Sequence, residues 1–393
     1  MKLVPESEGE VADMLRESIA GKRRCEIIGN GTKRGLGPKR DADDVLDLSR
    51  LSGVTRYEPG ELVITARAGT PLAEIAAALA GHSQKLGFDP ADWGPLYGAA
   101  PAAGTIGGVV SADCCGSARL RHGAVRDHLL GFRAVNGFGE IYKAGSHVVK
   151  NVTGFDLPKL VCGAMGTLGP LTELTLRLVP RAACSLTLVA RDIDAEAGCA
   201  VLRRVWASPL EATGLAFVPG TTALPALVDP GRGVAMIRFE GSAAALAEKR
   251  AALGSLLPRL GLDACAAGDT AFAGLGNGDA FAGRDEDLWR VFVPPSETAR
   301  CAAALASPRW YADWAGGVIW METGAGHAVN EIATRFGGHA RRMRDRTDAP
   351  DTTVGTTVGT PPADRVRDAL AARVRDAFDP HGLFDPGRVG REA

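Results

Sequence analysis

One glycine-rich segment constrains this chain more than any other. It reads GTIGG at positions 104–108 and is followed by Ser111, Gly116 and Ser117. A glycine inside a helix or strand costs roughly 0.5–1 kcal/mol relative to alanine, so the cluster indicates that another group approaches this backbone closely. Backbone N–H groups in glycine-rich turns form concave anion-binding sites. The segment therefore predicts a binding site for a phosphate-bearing ligand.

A second candidate phosphate loop lies near the N-terminus. Residues 25–28 predict a short strand, and the sequence GNGTK follows at positions 29–33. A GxGT sequence alone is more often an ordinary turn, but the preceding strand and the glycine cluster about 75 residues later favour a phosphate loop. A Rossmann fold would need G-x-G-x-x-G at the start of a helix, whereas glycine and proline at positions 35–38 prevent a long helix here. The sequence therefore disfavours a Rossmann fold.

Three motifs, in this order, resemble the FAD domain of the vanillyl-alcohol-oxidase family, also called the PCMH flavoproteins. They are TIGG at 105–108, KNVTGFDLPKL at 150–160 and GTLGPLTELTLRLVP at 166–180. Within this family the chain is most similar to the FAD-binding E subunits of bacterial glycolate oxidases. The resemblance also covers the C-terminal sequence FDPHGLFDPGR at 378–388. It implies bound FAD and hydride transfer from a 2-hydroxy acid to the flavin.

The FAD contacts are assigned to the two glycine loops and to the segments that resemble the family. The predicted cofactor-binding residues are Gly29, Asn30, Gly31, Thr32, Lys33, Pro101, Gly104, Thr105, Ile106, Gly107, Gly108, Ser111, Gly116, Ser117, Gly166 and Leu171. Covalent members of the family commonly attach the flavin through a histidine beside the first glycine loop, and residues 1–79 contain no histidine. The FAD is therefore expected to be bound non-covalently.

The sequence predicts an α+β protein of two domains. A chain of 393 residues, 46% of them hydrophobic, exceeds the usual length of one domain and can bury a sizeable core. Residues 1–181 are the predicted two-part PCMH-type FAD-binding domain. In residues 182–347 a β-α-β-β-α-β pattern predicts an α/β cap domain with an antiparallel sheet and helices on one face. Residues 348–362 are the predicted linker, and residues 363–393 the C-terminal helix and a tail that, by the resemblance, returns to the FAD domain.

Composition and cysteine spacing exclude several classes of protein. A net charge of −1 gives no reason to expect nucleic-acid binding. No run of 18 apolar residues predicts a membrane span, and the first 20 residues lack the pattern of a signal peptide, so a cytoplasmic location is expected. The eight cysteines lack the spacing of an iron–sulfur ligand set, and the adjacent Cys114 and Cys115 are interpreted as small packing residues. No metal site is expected.

The loop at residues 87–103 must place two large rings, Trp93 and Tyr97. Both rings could pack on the core beneath the loop. Aromatic walls are also usual in cofactor pockets, so the second interpretation is that one ring lines a ligand cavity.

The sequence does not identify a catalytic base. The cap contains His327 and His339, and a lone histidine is more often a structural residue than a catalytic one. A substrate carboxylate would be bound by arginine, and Arg238, Arg290 and Arg341 are equal candidates. No catalytic residue is therefore assigned.

Two functions remain open. In the first, the chain oxidises glycolate or a related 2-hydroxy acid to the 2-oxo acid and passes electrons through FAD to partner subunits. In the second, it is a non-catalytic flavin-binding assembly subunit of the same complex, and a stand-alone FAD-dependent dehydrogenase is a third alternative. The resemblance implies two partners, a second flavoprotein subunit and an iron–sulfur subunit, because reduced FAD must discharge its electrons and this chain lacks a cluster motif. It also implies an assembly at the inner face of the membrane.

Overall fold

The computed structural model describes residues 1–37, 42–147, 155–224, 232–324, 326–345 and 365–384. The KNVTG sequence at 150–154, the predicted linker and the tail from Asp385 onward lie outside the described residues. The described residues form three β-sheets with helices between them, as the α+β prediction requires. None of the described helices combines the length and hydropathy needed to cross a bilayer.

A small parallel sheet begins the chain. It comprises, in the order β1-β3-β2, β1 (Lys2–Leu3), β3 (Asp44–Asp47) and β2 (Cys25–Ile28). Helix α1 (Glu8–Ala20) covers this sheet, and Ser7 caps it by accepting a hydrogen bond from the Glu10 N–H. The predicted strand at 25–28 is confirmed, and this strand leads directly into the first glycine loop.

A six-stranded sheet completes the first domain, with the strand order β4-β5-β9-β7-β8 and β6 paired to β9. Its strands are β4 (Val54–Glu58), β5 (Val63–Arg67), β6 (Gln84–Leu86), β7 (Leu129–Val135), β8 (Ile141–Gly145) and β9 (Leu171–Pro180). The helices in this part of the chain are α2 (Leu72–Ala80), α3 (Ile106–Ala112), α4 (Arg119–His122) and α5 (Leu157–Val161). All described pairings in this sheet are antiparallel.

An eight-stranded antiparallel sheet forms the second domain, in the order β13-β10-β12-β11-β15-β16-β14-β17. Its strands are β10 (Cys184–Arg191), β11 (Gly214–Pro219), β12 (Gly233–Gly241), β13 (Asp263–Ala264), β14 (Asp287–Phe292), β15 (Trp310–Asp313), β16 (Val318–Thr323) and β17 (His339–Arg344). The helices are α6 (Ala195–Trp206), α7 (Ala243–Leu256), α8 (Gly268–Asn277), α9 (Thr298–Leu305) and α10 (Val329–Arg335), and α11 (Arg365–Phe378) follows.

The two faces of the large sheet have different neighbours. One face packs in an apolar core with α6, α7, α9 and α10, which agrees with the predicted helix-covered face. Side chains of the other face, including Met236, Tyr311 and Trp320, share one core with first-domain residues such as Trp93 and Val110. The boundary between the domains is therefore a buried apolar seam, which also holds the second domain beside the glycine loops.

The alanine- and glycine-rich composition of residues 264–283 predicts an irregular loop, and this prediction is wrong, because the segment contains helix α8. Glycine lowers helix propensity, but Phe272 and Leu275 of α8 are fully buried against the first domain, and tertiary packing outweighs propensity. A Cβ built on Gly276 would lie 2.8 Å from Gly116 Cα. The glycines of α8 therefore permit a close approach of two backbones across the seam.

The chain after α11 packs on the first domain. Asp379 accepts hydrogen bonds from the N–H groups of Leu383 and Phe384, and both of these side chains are buried. The Cys25 N–H donates to the Leu383 carbonyl at 2.8 Å. The described part of the tail thus contacts the strand that carries the first glycine loop.

Candidate functional site

The two predicted glycine loops lie against each other along an open groove of about 680 Å³. All of its lining residues belong to the first domain, within positions 27–171. Predicted cofactor-binding residues that line the groove are Gly29, Asn30, Gly31, Thr32, Lys33, Thr105, Gly107, Gly108, Ser111, Gly166 and Leu171. The groove therefore unites segments that are up to 142 positions apart (171 − 29) in the chain.

The first loop turns sharply as it leaves β2. Gly31 has a φ of +69°, which glycine adopts without strain. The Asn30 Nδ2 donates to the Ala103 carbonyl at 2.9 Å, and this bond ties the first loop to the second. A Cβ at Gly29 would overlap the side chain of Thr105. These glycines therefore allow the two loops to touch.

The second loop begins helix α3, whose first turn borders the groove. Thr105 is its N-cap, and its Oγ1 accepts from the Gly108 N–H at 3.4 Å. The Gly107 N–H donates to the Ala68 carbonyl at 2.8 Å, and a Cβ on Gly107 would lie 2.7 Å from Ala68 Cβ. Gly107 thus serves the packing of α3 on the end of β5. Gly108 is the glycine of this turn that leaves space beside the groove.

Lys33 places a buried positive charge between the loops. Its side chain is 8% exposed, and its Nζ lies 3.4 Å from Thr32 Oγ1. Methyl groups built on Gly104 and Gly108 would each lie 3.8 Å from this Nζ. Within the described part of the chain, no carboxylate forms an ion pair with it. A buried cation without an anionic partner is costly, so the site fits an anionic group such as the pyrophosphate of a dinucleotide.

Five predicted cofactor-binding residues lie outside the groove lining. Pro101 is exposed, Gly104 lies behind Lys33, and Ile106 is fully buried in the core. Gly116 and Ser117 lie in the seam between the domains. The Gly116 carbonyl accepts from the Trp314 indole N–H at 3.1 Å, and the Ser117 hydroxyl donates to Asp313 Oδ2 at 2.6 Å. Both residues therefore join the domains.

Arg290 and Arg341 form a cationic pair in the seam, and the structure separates them from Arg238. They are paired in register on β14 and β17. The Arg290 guanidinium carbon lies 4.8 to 5.3 Å from four ring centroids, including Trp314 and Trp93. An Arg341 Nη2 lies 3.9 Å from the sulfur of Met165, which lines the groove. The pair is therefore adjacent to the groove from the side of the second domain.

The charges of this pair are only partly compensated in the described structure, because the buried carboxyl of Asp313 interacts electrostatically with Arg290. The Nε of each arginine is buried without a hydrogen-bond partner, and no described carboxylate forms an ion pair with either one. Burial, and then the charge of Arg341, lower the pKa of Arg290 to about 10, so its guanidinium remains charged at neutral pH. Cation–π contacts with the surrounding rings offset part of the cost of burial. An anion is the partner that such a site lacks.

The aromatic residues and histidines considered in the sequence analysis have no contacts that indicate a catalytic role. Trp93 is fully buried, and its indole N–H donates to the Gly276 carbonyl at 3.1 Å, so it packs in the seam. The Tyr97 hydroxyl donates to the Met343 carbonyl at 2.8 Å. His327 is exposed and His339 stacks on Phe292. Among the described residues no three His, Cys, Asp or Glu side chains come together as metal ligands.

Sequence reasoning missed Asp313, which is a buried carboxyl in the seam. It is 1% exposed and accepts hydrogen bonds from the Ser117 hydroxyl and the Trp314 N–H. Burial raises its pKa to about 6. The sequence W-Y-A-D-W around it contains no pattern that predicts a buried carboxyl. Only the contact with Ser117, 196 positions away, reveals it.

The groove fits a dinucleotide, and comparisons with known proteins place the chain among FAD-linked proteins. Residues 2–145 match the family model described as the FAD binding domain. The chain is 30% identical to glycolate oxidase subunit GlcE of Escherichia coli, over 97% of this chain and 96% of that protein. It is 29% identical to glycolate oxidase subunit GlcD of Bacillus subtilis, over 50% of this chain and 40% of that one.

Solved structures of other proteins share this fold. The p-cresol methylhydroxylase structure superimposes with a TM-score of 0.72 at 14% identity, covering 100% of this chain and 88% of that one. Alkyldihydroxyacetonephosphate synthase gives a TM-score of 0.71 at 14% identity, covering 98% of this chain and 75% of that one. The chain belongs to the family of FAD-linked oxidoreductases that includes glycolate oxidase subunit GlcE. FAD is its cofactor, and the predicted PCMH-type fold is confirmed.

Replacing Lys33 by methionine should weaken FAD binding roughly 10- to 100-fold, because hydrogen bonds to charged groups contribute about 1.5–3 kcal/mol. The FAD-free protein should be no less stable, since the change removes an uncompensated buried charge. Equilibrium titration of FAD-free protein with FAD measures the first effect, and thermal unfolding measures the second. Lys143→Met, at an exposed position on β8, is the matched control. Equal FAD affinity in the two variants would contradict the assignment.

Asp313 should make the stability of the protein fall as the pH rises from about 4 to 6. Its pKa is raised from 3.8 to about 6, so the folded protein retains a proton in this window that the unfolded chain has released. The corresponding free energy is about 3 kcal/mol. Asp313→Asn cannot release this proton, so the stability of the native protein relative to this variant should decrease between pH 4 and pH 7. Denaturant unfolding of both proteins at several pH values measures their free energies of unfolding. A difference between the two that does not change with pH would refute the prediction.

Proposed function

We propose that the chain is the FAD-binding subunit of a glycolate oxidase type of complex, which oxidises glycolate or a related 2-hydroxy acid to the 2-oxo acid. The names of its relatives support this proposal, since they include two glycolate oxidase subunits and a D-lactate dehydrogenase. The observation that carries it is the pair Arg290 and Arg341, buried beside the FAD groove, each with an Nε that has no hydrogen-bond partner and neither in an ion pair with a described carboxylate. A substrate carboxylate would supply the missing negative charge.

The two arginines would bind and orient the substrate. A guanidinium offers parallel N–H donors that match the two oxygens of a carboxylate. The aromatic rings around Arg290 exclude water and thereby strengthen this interaction. FAD, when bound, supplies the hydride acceptor. No residue is proposed as the base that takes the hydroxyl proton.

The alternative function, a non-catalytic flavin-binding assembly subunit, has one observation in its favour. The rings of Trp93, Phe292, Trp314 and Trp320 surround Arg290 closely, so a substrate would have to share this space with them. In this function Arg290 would hold the seam together through cation–π contacts instead of binding a carboxylate.

Anaerobic mixing of the isolated, FAD-loaded chain with glycolate distinguishes the two functions. The proposed function predicts bleaching of the flavin absorbance band, because the substrate reduces the flavin without any partner. D-Lactate and D-2-hydroxyglutarate, tested in parallel, would define the substrate among related acids. A flavin that stays oxidised with all three acids, in protein of full FAD content, would refute catalysis by the isolated chain and favour the assembly function.

We further propose that the chain works with a second flavoprotein subunit and an iron–sulfur subunit, located at the inner face of the membrane through these partners. The relatives are named as subunits, and the eight cysteines of this chain lack cluster spacing, so the electrons need an external acceptor. Affinity purification from native cells should recover both partners with a tagged chain. Recovery of the chain alone, with full glycolate-dependent quinone reduction, would rule out this requirement.

The FAD should be bound non-covalently. No histidine lies between Met1 and Leu79. The first glycine loop therefore lacks the side chain to which covalent members of the family commonly attach the flavin. Acid precipitation of the purified protein should therefore leave the yellow colour in the supernatant. Colour retained in the washed pellet would show a covalent bond.

A further inference from the structure

A second groove lies between the two domains. It has a cavity volume of about 330 Å³ and lies between α2 and β6 of the first domain and the end of β12 in the second. None of its lining residues lines the FAD groove. The proposed function therefore leaves it without a role, although its volume is typical of small-molecule sites.

One wall of this second groove is apolar. Leu72, Ala76 and Leu79 contribute to it from one face of α2, and Leu86 and Phe88 extend it. The seven-residue step from Leu72 to Leu79 rises about 10 Å along the helix, which matches an extended chain of about eight carbons. The wall therefore suits a linear apolar group.

The opposite end of the groove carries a buried arginine. Arg238 is 7% exposed, its Nε has no hydrogen-bond partner, and its guanidinium carbon lies 4.9 Å from the Phe272 ring centroid. Glu240 is already engaged, because Lys85 Nζ lies 2.7 Å from its Oε2. The His122 Nε2 also lies 3.6 Å from this oxygen, and His122 and then Lys85 lower the pKa of Glu240.

The charge of this end is positive. The groove lining contains three cations, Lys85, Arg181 and Arg238, and two carboxylates, Asp89 and Glu240, which leaves one net positive charge. In the described structure no carboxylate pairs with Arg238. A buried arginine without a partner is costly unless an anion joins it.

We propose that this groove binds an amphipathic organic anion, with a carboxylate on Arg238 and an alkyl chain of about eight carbons along the α2 wall. The site bridges the two domains, since Arg238 belongs to the second and α2 to the first. It is distinct from the substrate site proposed above, so the failure of either proposal leaves the other intact.

Calorimetric titration of the FAD-loaded protein with octanoate tests this proposal. One octanoate should bind per chain. Acetate lacks the chain and 1-octanol lacks the charge, so each should bind at least tenfold more weakly. Octanol binding as tightly as octanoate, or no octanoate binding at all, would overturn the proposal.

Two variants locate the site. Arg238→Met keeps the volume and removes the charge, and Ala76→Trp fills the groove from an exposed position of α2. Each should weaken octanoate binding at least tenfold. Ala77→Trp, exposed on the same helix but outside the groove lining, should bind octanoate like the native protein. Native affinity in Ala76→Trp would overturn the assigned location even if Arg238→Met failed to fold.

Discussion

Gly108→Val should yield a folded protein that retains no FAD. A Cβ at this position would lie 3.3 Å from Thr105 Oγ1 and 3.8 Å from Lys33 Nζ, and valine adds two further methyl groups to a residue that lines the groove. These methyl groups would occupy the space in which a pyrophosphate contacts the backbone. The ratio of flavin to protein absorbance after purification measures the effect.

The choice of Gly108 separates cofactor binding from folding. Valine at Gly107 would collide with Ala68, and valine at Gly31 would be strained by the φ of +69°, so these two variants would also disturb the fold. Gly254→Val is the matched control, because Gly254 lies in helix α7 and a Cβ placed on it would have nothing within 4 Å. Both Gly108→Val and this control should show native circular dichroism. Full flavin content in Gly108→Val would disprove the role of this loop.

Arg290→Met should reduce the second-order rate constant for flavin reduction by the substrate roughly 100- to 1000-fold. Removing one partner of a buried charge pair costs about 2–5 kcal/mol, and the substrate carboxylate would lose this partner. Methionine has a similar length and no charge, so the unfolding temperature without substrate should not fall. Anaerobic stopped-flow reduction by glycolate measures the rate, and thermal unfolding measures the stability.

Two further variants make this result specific. Arg290→Lys keeps the charge and should recover part of the rate, because lysine pairs with a carboxylate but lacks the planar fork. Arg335→Met, at an exposed position on α10, should behave as the native protein. Native reduction kinetics in Arg290→Met would remove the basis of the substrate site. A large fall in its unfolding temperature would instead indicate the assembly function, in which Arg290 holds the seam.

The loops of the FAD groove could be predicted from the sequence because their signals are local. A glycine loop after a strand is visible within a few residues, as at positions 25–33, and the GTIGG segment is recognisable in the same way. The family motifs then related the two loops to each other. The sequence also indicated the antiparallel sheet of the second domain, since its strands and helices follow their own periodicities.

The seam between the domains was decided by the tertiary structure. Gly116 and Ser117 have the composition of a phosphate loop, yet their partners, Trp314 and Asp313, lie about 200 positions further along the chain. Helix α8 has a loop-like composition and forms only because its apolar face is buried against the first domain. The error over α8 arose because long-range packing outweighs local propensity.

The same limit applies to the arginines. In the sequence Arg238, Arg290 and Arg341 are equivalent, because each follows or lies within an apolar strand. The local sequence does not predict which residues each arginine contacts in the fold. The sheet register places Arg290 beside Arg341, whereas Arg238 lies in another groove. The sequence by itself therefore determined the cofactor loops and the fold class, which depend on backbone conformation and short-range periodicity. Only the tertiary structure decided which charges are buried without partners, because burial is a property of the assembled fold.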